Sequence, residues 1–134
     1  MIVYSLYIID DEETIRESLS MALEGDYSIK TFAEAQVAIR SIQDNPPDLV
    51  LLDIGLPDMN GIEVLKQVKS FDPGIVVIMI TAYEDTQTVI SAMKCGAYDY
   101  VVKPIDMNSL KITIENALDT IRLKKEVQDL QEKR

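Results

Sequence analysis

The chain contains no histidine and a single cysteine, Cys95, among its 134 residues. With these ligands so scarce a zinc or haem centre is not expected. One thiol excludes an internal disulfide and suits a reducing compartment, so a cytoplasmic setting is expected. Cys95 follows Met93 and Lys94 in a helical pattern, which favours a small packed side chain over a reactive one. Basic residues are also scarce: 13 against 23 acids, for a net charge of −10. So acidic a surface disfavours direct contact with nucleic acid or an anionic membrane. No apolar run approaches the ~20 residues of a membrane span. The N-terminus lacks the basic region and long apolar stretch of a signal peptide. There is neither an internal repeat nor a low-complexity segment. What is present is apolar material, 47% of the residues, enough to build a core.

Strand-like and helix-like patterns alternate five times. Strands are predicted at Ser5–Ile9, Ser28–Phe32, Leu49–Leu52, Val76–Ile80 and Tyr98–Val102. "LYII", "LVLL" and "VVIMI" are unbroken apolar runs, as expected of parallel strands covered on both faces. Between them lie stripes at helical spacing: Ile15, Leu19 and Ala22; Ala35, Ala38, Ile39 and Ile42; Val64, Leu65 and Val68; Val89, Ala92 and Met93. Gly25-Asp26, Asn45-Pro46-Pro47, Asp72-Pro73-Gly74 and Cys95-Gly96 punctuate them. The alternation predicts an α/β fold, a (βα)5 doubly wound five-stranded parallel sheet. Sheets of this kind carry their sites at the carboxyl ends of the strands.

At those ends stand Asp10 and Asp11 after the first strand, Asp53 after the third, Thr81 after the fourth, and Lys103-Pro104 after the fifth. Three carboxylates gathered together need a cation to ionise cheaply, and an all-oxygen ligand set suits Mg²⁺. A carboxylate can attack phosphorus, a lysine can pair with a phosphoryl oxygen, and a threonine hydroxyl can donate to another. The set suits placing a phosphoryl group on one aspartate with Mg²⁺ as cofactor.

"YIIDDEE", "LVLLDIGLPDMNG", "VVIMITAYED" and "GAYDYVVKPID" resemble, in order and spacing, the motifs of response-regulator receiver domains of two-component signalling. The resemblance covers about Tyr4 to Ile121 and implies strand order 2-1-3-4-5. It implies that Asp53 is the phosphoacceptor and that Asp10, Asp11, Asp53 and the backbone carbonyl of Gly55 hold Mg²⁺. Thr81 and Tyr100 match the switch residues and Lys103 the phosphoryl-binding lysine, with a cis peptide usual before Pro104. Pro57 and Gly61 shape the loop after Asp53, proline by fixing φ and glycine by permitting positive φ. Tyr83, two past Thr81, is expected to screen attacking water and lengthen the phosphoryl lifetime. Glu12 and Glu13 are expected only to start a helix, where the macrodipole favours acids.

The last helix is predicted from near Asn108. Leu110, Ile114, Ala117, Leu118 and Ile121 form its inner stripe. Leu123, Val127 and Leu130, with Ile112 upstream on the same face, form a second stripe nearly opposite at about 100° per residue, suited to a coiled-coil seam. The chain is thus read as a receiver over 1–121 and a helical extension over 122–134 that leads toward an output domain and forms a homodimer. The resemblance implies a sensor histidine kinase as partner and a domain that is not itself an enzyme. The tail and the "AYEDTQTVISAMKCGAYDY" region look like those of enhancer-binding transcription activators. Cyclic-di-nucleotide enzymes follow similar linkers, and an interaction-only receiver is a further alternative. A phosphatase of the haloacid dehalogenase type would need an acid where Gly55 stands. A flavodoxin-like FMN site would need hydroxyls and glycine where "DDEE" stands.

Overall fold

The computed structural model describes residues 2–82 and 86–132. Five strands alternate with five helices: β1 (Ser5–Ile9), α1 (Glu13–Leu23), β2 (Ser28–Phe32), α2 (Ala35–Asp44), β3 (Leu49–Asp53), α3 (Gly61–Phe71), β4 (Val76–Thr81), α4 (Thr86–Lys94), β5 (Asp99–Val102) and α5 (Met107–Glu132). All strand pairs are parallel and the order is β2-β1-β3-β4-β5. The chain leaves β1 for one edge and returns past it to β3, so the switch point lies between β1 and β3.

The unbroken apolar runs are the three central strands, and their side chains alternate between two cores. Tyr7, Ile9, Val50, Leu52, Val77 and Met79 face α2, α3 and α4. Leu6, Ile8, Leu49, Leu51, Ile78 and Ile80 face α1 and α5. The edge strands differ: β2 exposes most of its residues and β5 is half-buried throughout.

The fourth helical stripe is narrower than its spacing suggests. Only Ala92 of α4 is buried, while Met93 is 42% exposed. A short helix lying at the β4–β5 edge has little sheet to cover. Cys95 is half-buried and packs against the α2–α4 core, and Gly96 ends the helix at φ 104°. Gly61 is buried with no positive φ; it is required by space, since a Cβ would lie 2.5 Å from the Cα of Ile54 and 2.8 Å from the carbonyl oxygen of Asp53. The loop after β3 therefore closes tightly, with Gly61 N donating to the Ile54 carbonyl at 3.0 Å. Pro57 sits exposed on its crest.

A candidate phosphoacceptor and metal site

The site is assembled by the register of the central strands. β1 runs into Asp10 and β3 ends at Asp53 on the neighbouring strand. Their carboxylates meet beside Asp11, and oxygens of all three lie within 4.8 Å of one another. Asp10 and Asp53 are buried and Asp11 is exposed. β4 ends at the buried Thr81, one residue beyond Ile80, the register partner of Asp53. Lys103 follows β5, its amide donating to the Thr81 carbonyl at 2.7 Å. The Lys103–Pro104 peptide is cis.

Although β5 lies two strands away from β3, the long Lys103 side chain crosses β4 to reach the acids. Its ammonium lies 3.2 Å from Asp10 Oδ2 and 3.7 Å from Asp53 Oδ2. It donates a hydrogen bond to Glu12 Oε1 at 2.7 Å. Glu12 was expected only to start α1. It is indeed the N-cap residue, with no capping hydrogen bond from its side chain, and its carboxylate is drawn instead to Lys103. No local sequence signal marks this, because the partners are 91 residues apart. Asp10 Oδ1 accepts from the Glu12 amide at 2.9 Å, and Arg16 Nη1 donates to the Asp10 carbonyl at 2.7 Å.

The electrostatics are those of a site short of positive charge. Burial pushes the Asp53 carboxyl up to about 6. The Gly55 amide, which donates to Asp53 Oδ1 at 3.1 Å, opposes this, Asp10 reinforces it, Lys103 opposes it, and a hydrogen bond with Asp11 reinforces it. For Lys103, burial favours the neutral amine, but Glu12, Asp10 and Asp53 outweigh it and hold the pKa above the ordinary value. Asp10 Oδ2 is buried without a hydrogen-bond partner. Lys103 is close enough to pair with it, yet directs its hydrogen bond at Glu12. Three carboxylates this close, with one lysine ammonium among them, are a donor set that fits a hard divalent cation such as Mg²⁺.

The remaining predicted residues are dispersed. Tyr100 is a half-buried residue within β5, packed against the α2–α4 core. Ile112, Leu123, Val127 and Leu130 are exposed on α5, far along the chain from the acids. Tyr83 lies outside the described residues.

A doubly wound sheet of this order, with carboxylates gathered at its switch point and a lysine reaching them from the last strand, is the architecture of a receiver domain. Residues 6–115 match the response regulator receiver domain, and the chain belongs to that family. It is 38% identical over 127 residues to the regulatory protein AtoC of Escherichia coli (strain K12), covering 93% of this chain and 27% of that protein. A response regulator receiver domain protein (CheY-like) from Methanospirillum hungatei JF-1 superposes with a TM-score of 0.88 at 30% identity, covering 92% of this chain and 99% of the other. NtrX from Brucella abortus gives a TM-score of 0.90 at 33% identity, covering 99% of this chain and 31% of that one. The chain spans little more than a quarter of the curated regulators that it matches. No described helix is long and apolar enough to cross a membrane.

Proposed function

We propose that this domain receives a phosphoryl group on Asp53 from a sensor histidine kinase and relays its phosphorylation state to an output domain that regulates transcription. The observation that carries this reading is the meeting of Asp10, Asp11 and Asp53 within 4.8 Å, with the Lys103 ammonium 3.2 Å from Asp10 Oδ2. Asp10, Asp11, Asp53 and the backbone carbonyl of Gly55 would hold Mg²⁺. The bound ion supplies neutralising charge as phosphoryl oxygens approach the acids.

The chain's own groups do the rest. A carboxylate oxygen of Asp53 attacks phosphorus while the bond from phosphorus to the donor's nitrogen or oxygen breaks, and the electron pair leaves with the donor. With a folded-state pKa of about 6, Asp53 is mostly ionised at neutral pH even without metal, so the nucleophile is ready. The Gly55 amide orients it by holding Oδ1. Lys103, already balanced among three carboxylates, gains a phosphoryl oxygen as a further partner. The Thr81 hydroxyl, at the adjacent strand end, turns toward another. Tyr100 moves inward as Thr81 moves, biasing two pre-existing arrangements of the α4–β5–α5 face. Tyr83 tunes the lifetime by screening water.

Residues 1–121 form the receiver and 122–134 the helical extension. The exposed seam of Ile112, Leu123, Val127 and Leu130 pairs with the same seam of a second copy. The similarity to transcriptional regulatory proteins supports transcriptional output, and the single thiol suits a cytoplasmic setting. With a net charge of −10, this segment leaves DNA binding to other parts of the regulator.

Acetyl phosphate with Mg²⁺ is expected to add one phosphoryl mass to the chain, and Asp53→Asn or chelation to abolish the gain. A chain that gains no mass would be an interaction-only module.

A further inference from the structure

At the opposite end of the sheet from the acids, a cavity of about 360 Å³ opens between the end of α3, the start of β4, the α4–β5 turn and the far part of α5. Lys69, Lys124 and Lys125 line it, with Tyr98, Ile121 and Gly96 among its other walls. Three of the chain's 13 basic residues thus gather in one recess of a molecule carrying 23 acids. Among the described residues none of the three makes an ion pair; the lysine and arginine ion pairs found there belong to Lys103 and Arg122. Asp72, which favours the charged form of Lys69, has Oδ1 engaged by the Gly74 amide.

Lys69 is held in place. Its ammonium donates to the carbonyls of Pro73 at 2.9 Å and Ile75 at 2.8 Å, leaving a third N–H. Its stem runs beneath Gly96, where a Cβ would stand 3.2 Å from Cε. Burial lowers its pKa, and the neighbouring Lys124 lowers it further. Asp72 favours its charged form less than burial and Lys124 disfavour it, so this fixed ammonium has room for a further anion. Tyr98, 37% exposed, and Ile121 add apolar surface to the same recess.

We infer that this recess binds a small dianion carried on a compact apolar or aromatic body, of the aryl phosphate or phosphonate class. The lysines pair with the anionic oxygens as point charges, while the body lies on Tyr98 and Ile121. The volume suits such a ligand, near the lower end of the ~300–1,000 Å³ of small-molecule sites. A long polyanion is disfavoured, because beyond the recess the acidic surface repels it. Its walls belong to the domain body and to the helix that leaves it, so the ligand bridges the two.

The test is a titration with phenylphosphonate in Mg²⁺-free buffer, followed by backbone amide NMR shifts. This probe has an aryl dianion and no ester bond to transfer. Saturable shifts are expected at Lys69, Gly96, Tyr98 and Lys124, persisting in Asp53→Asn. Lys124→Gln/Lys125→Gln alters only exposed helix positions, so the fold persists. It should bind on the order of tenfold more weakly, as the loss of two charge pairs implies. The proposal is overturned by non-saturable shifts, by equal affinity in the double variant, or by the same shifts from chloride at matched ionic strength. Loss of the shifts in Asp53→Asn would likewise overturn it, by assigning them to the acidic end. Because neither metal nor phosphorylation enters, the result is independent of the fate of the receiver reading.

Discussion

At the carboxyl edge of the sheet, Asp53 is 5% exposed and faces the fully buried Asp10. The folded state therefore holds a proton on Asp53 more tightly than the unfolded chain does. Its pKa is about 6 when folded against an ordinary 3.8. Within that window the folded form binds more protons, so stability rises as pH falls through it, and the full penalty stands above about 6. Metal-free protein is expected to be more resistant to urea at pH 5 than at pH 7, and Asp53→Asn to flatten that difference. At pH 7 in chelator the same variant should be more stable by about 1 kcal/mol, since it removes one buried like charge. A wild type that loses stability on acidification, with Asp53→Asn following it in parallel, would contradict this. At this scale the identities of the acids were legible because each follows an apolar strand. The Glu12–Lys103 pair was not, since only the sheet brings the start of α1 to the end of β5.

Element boundaries depend on caps that come from elsewhere in the fold. The N-cap of α2, Glu34, makes no side-chain cap. Asp58, from the loop after Asp53, supplies it instead, accepting from Ala35 N at 3.0 Å and Gln36 N at 3.1 Å. Those hydrogen bonds hold its carboxyl below the ordinary value. Asp58→Ala is expected to cost about 1 kcal/mol in urea denaturation, as loss of a helix cap does. Asp58→Asn should retain part of the cap, and equal losses from both would argue against a carboxylate clasp. By contrast, α3 is capped by its own Asn60, whose Oδ1 accepts from Ile62 N at 2.8 Å. That local signal is readable in sequence; the Asp58 clasp, made across 23 residues, is not. Gly61 makes the same point, because its spacing suggested a turn residue while the reason for glycine is the backbone of Ile54 pressed against it.

Across the whole molecule, α5 has one buried and one exposed apolar face. Leu110, Ile114, Ala117 and Leu118 are buried against α1 and the sheet. Ile112, Leu123, Val127 and Leu130 are 59%, 51%, 53% and 68% exposed, so this second stripe is not covered by the described residues. The chain is expected to sediment as a dimer and Val127→Asp/Leu130→Asp as a monomer, with domain stability changed by less than about 0.5 kcal/mol because those positions touch no core. A wild type that is monomeric at every concentration, with and without a phosphoryl mimic, would remove the seam. Both stripes of α5 follow from its periodicity, as do the buried central strands and the succession of five βα units. The sequence by itself therefore determined which residues seek burial, where the strands end and which acids stand there, because apolar period and strand length are local properties. Only the tertiary structure decided the meetings that no local pattern marks: Glu12 with Lys103, Asp58 on α2, and three lysines around one recess. Such meetings depend on strand order and register, and these emerge only when both faces of the sheet are packed.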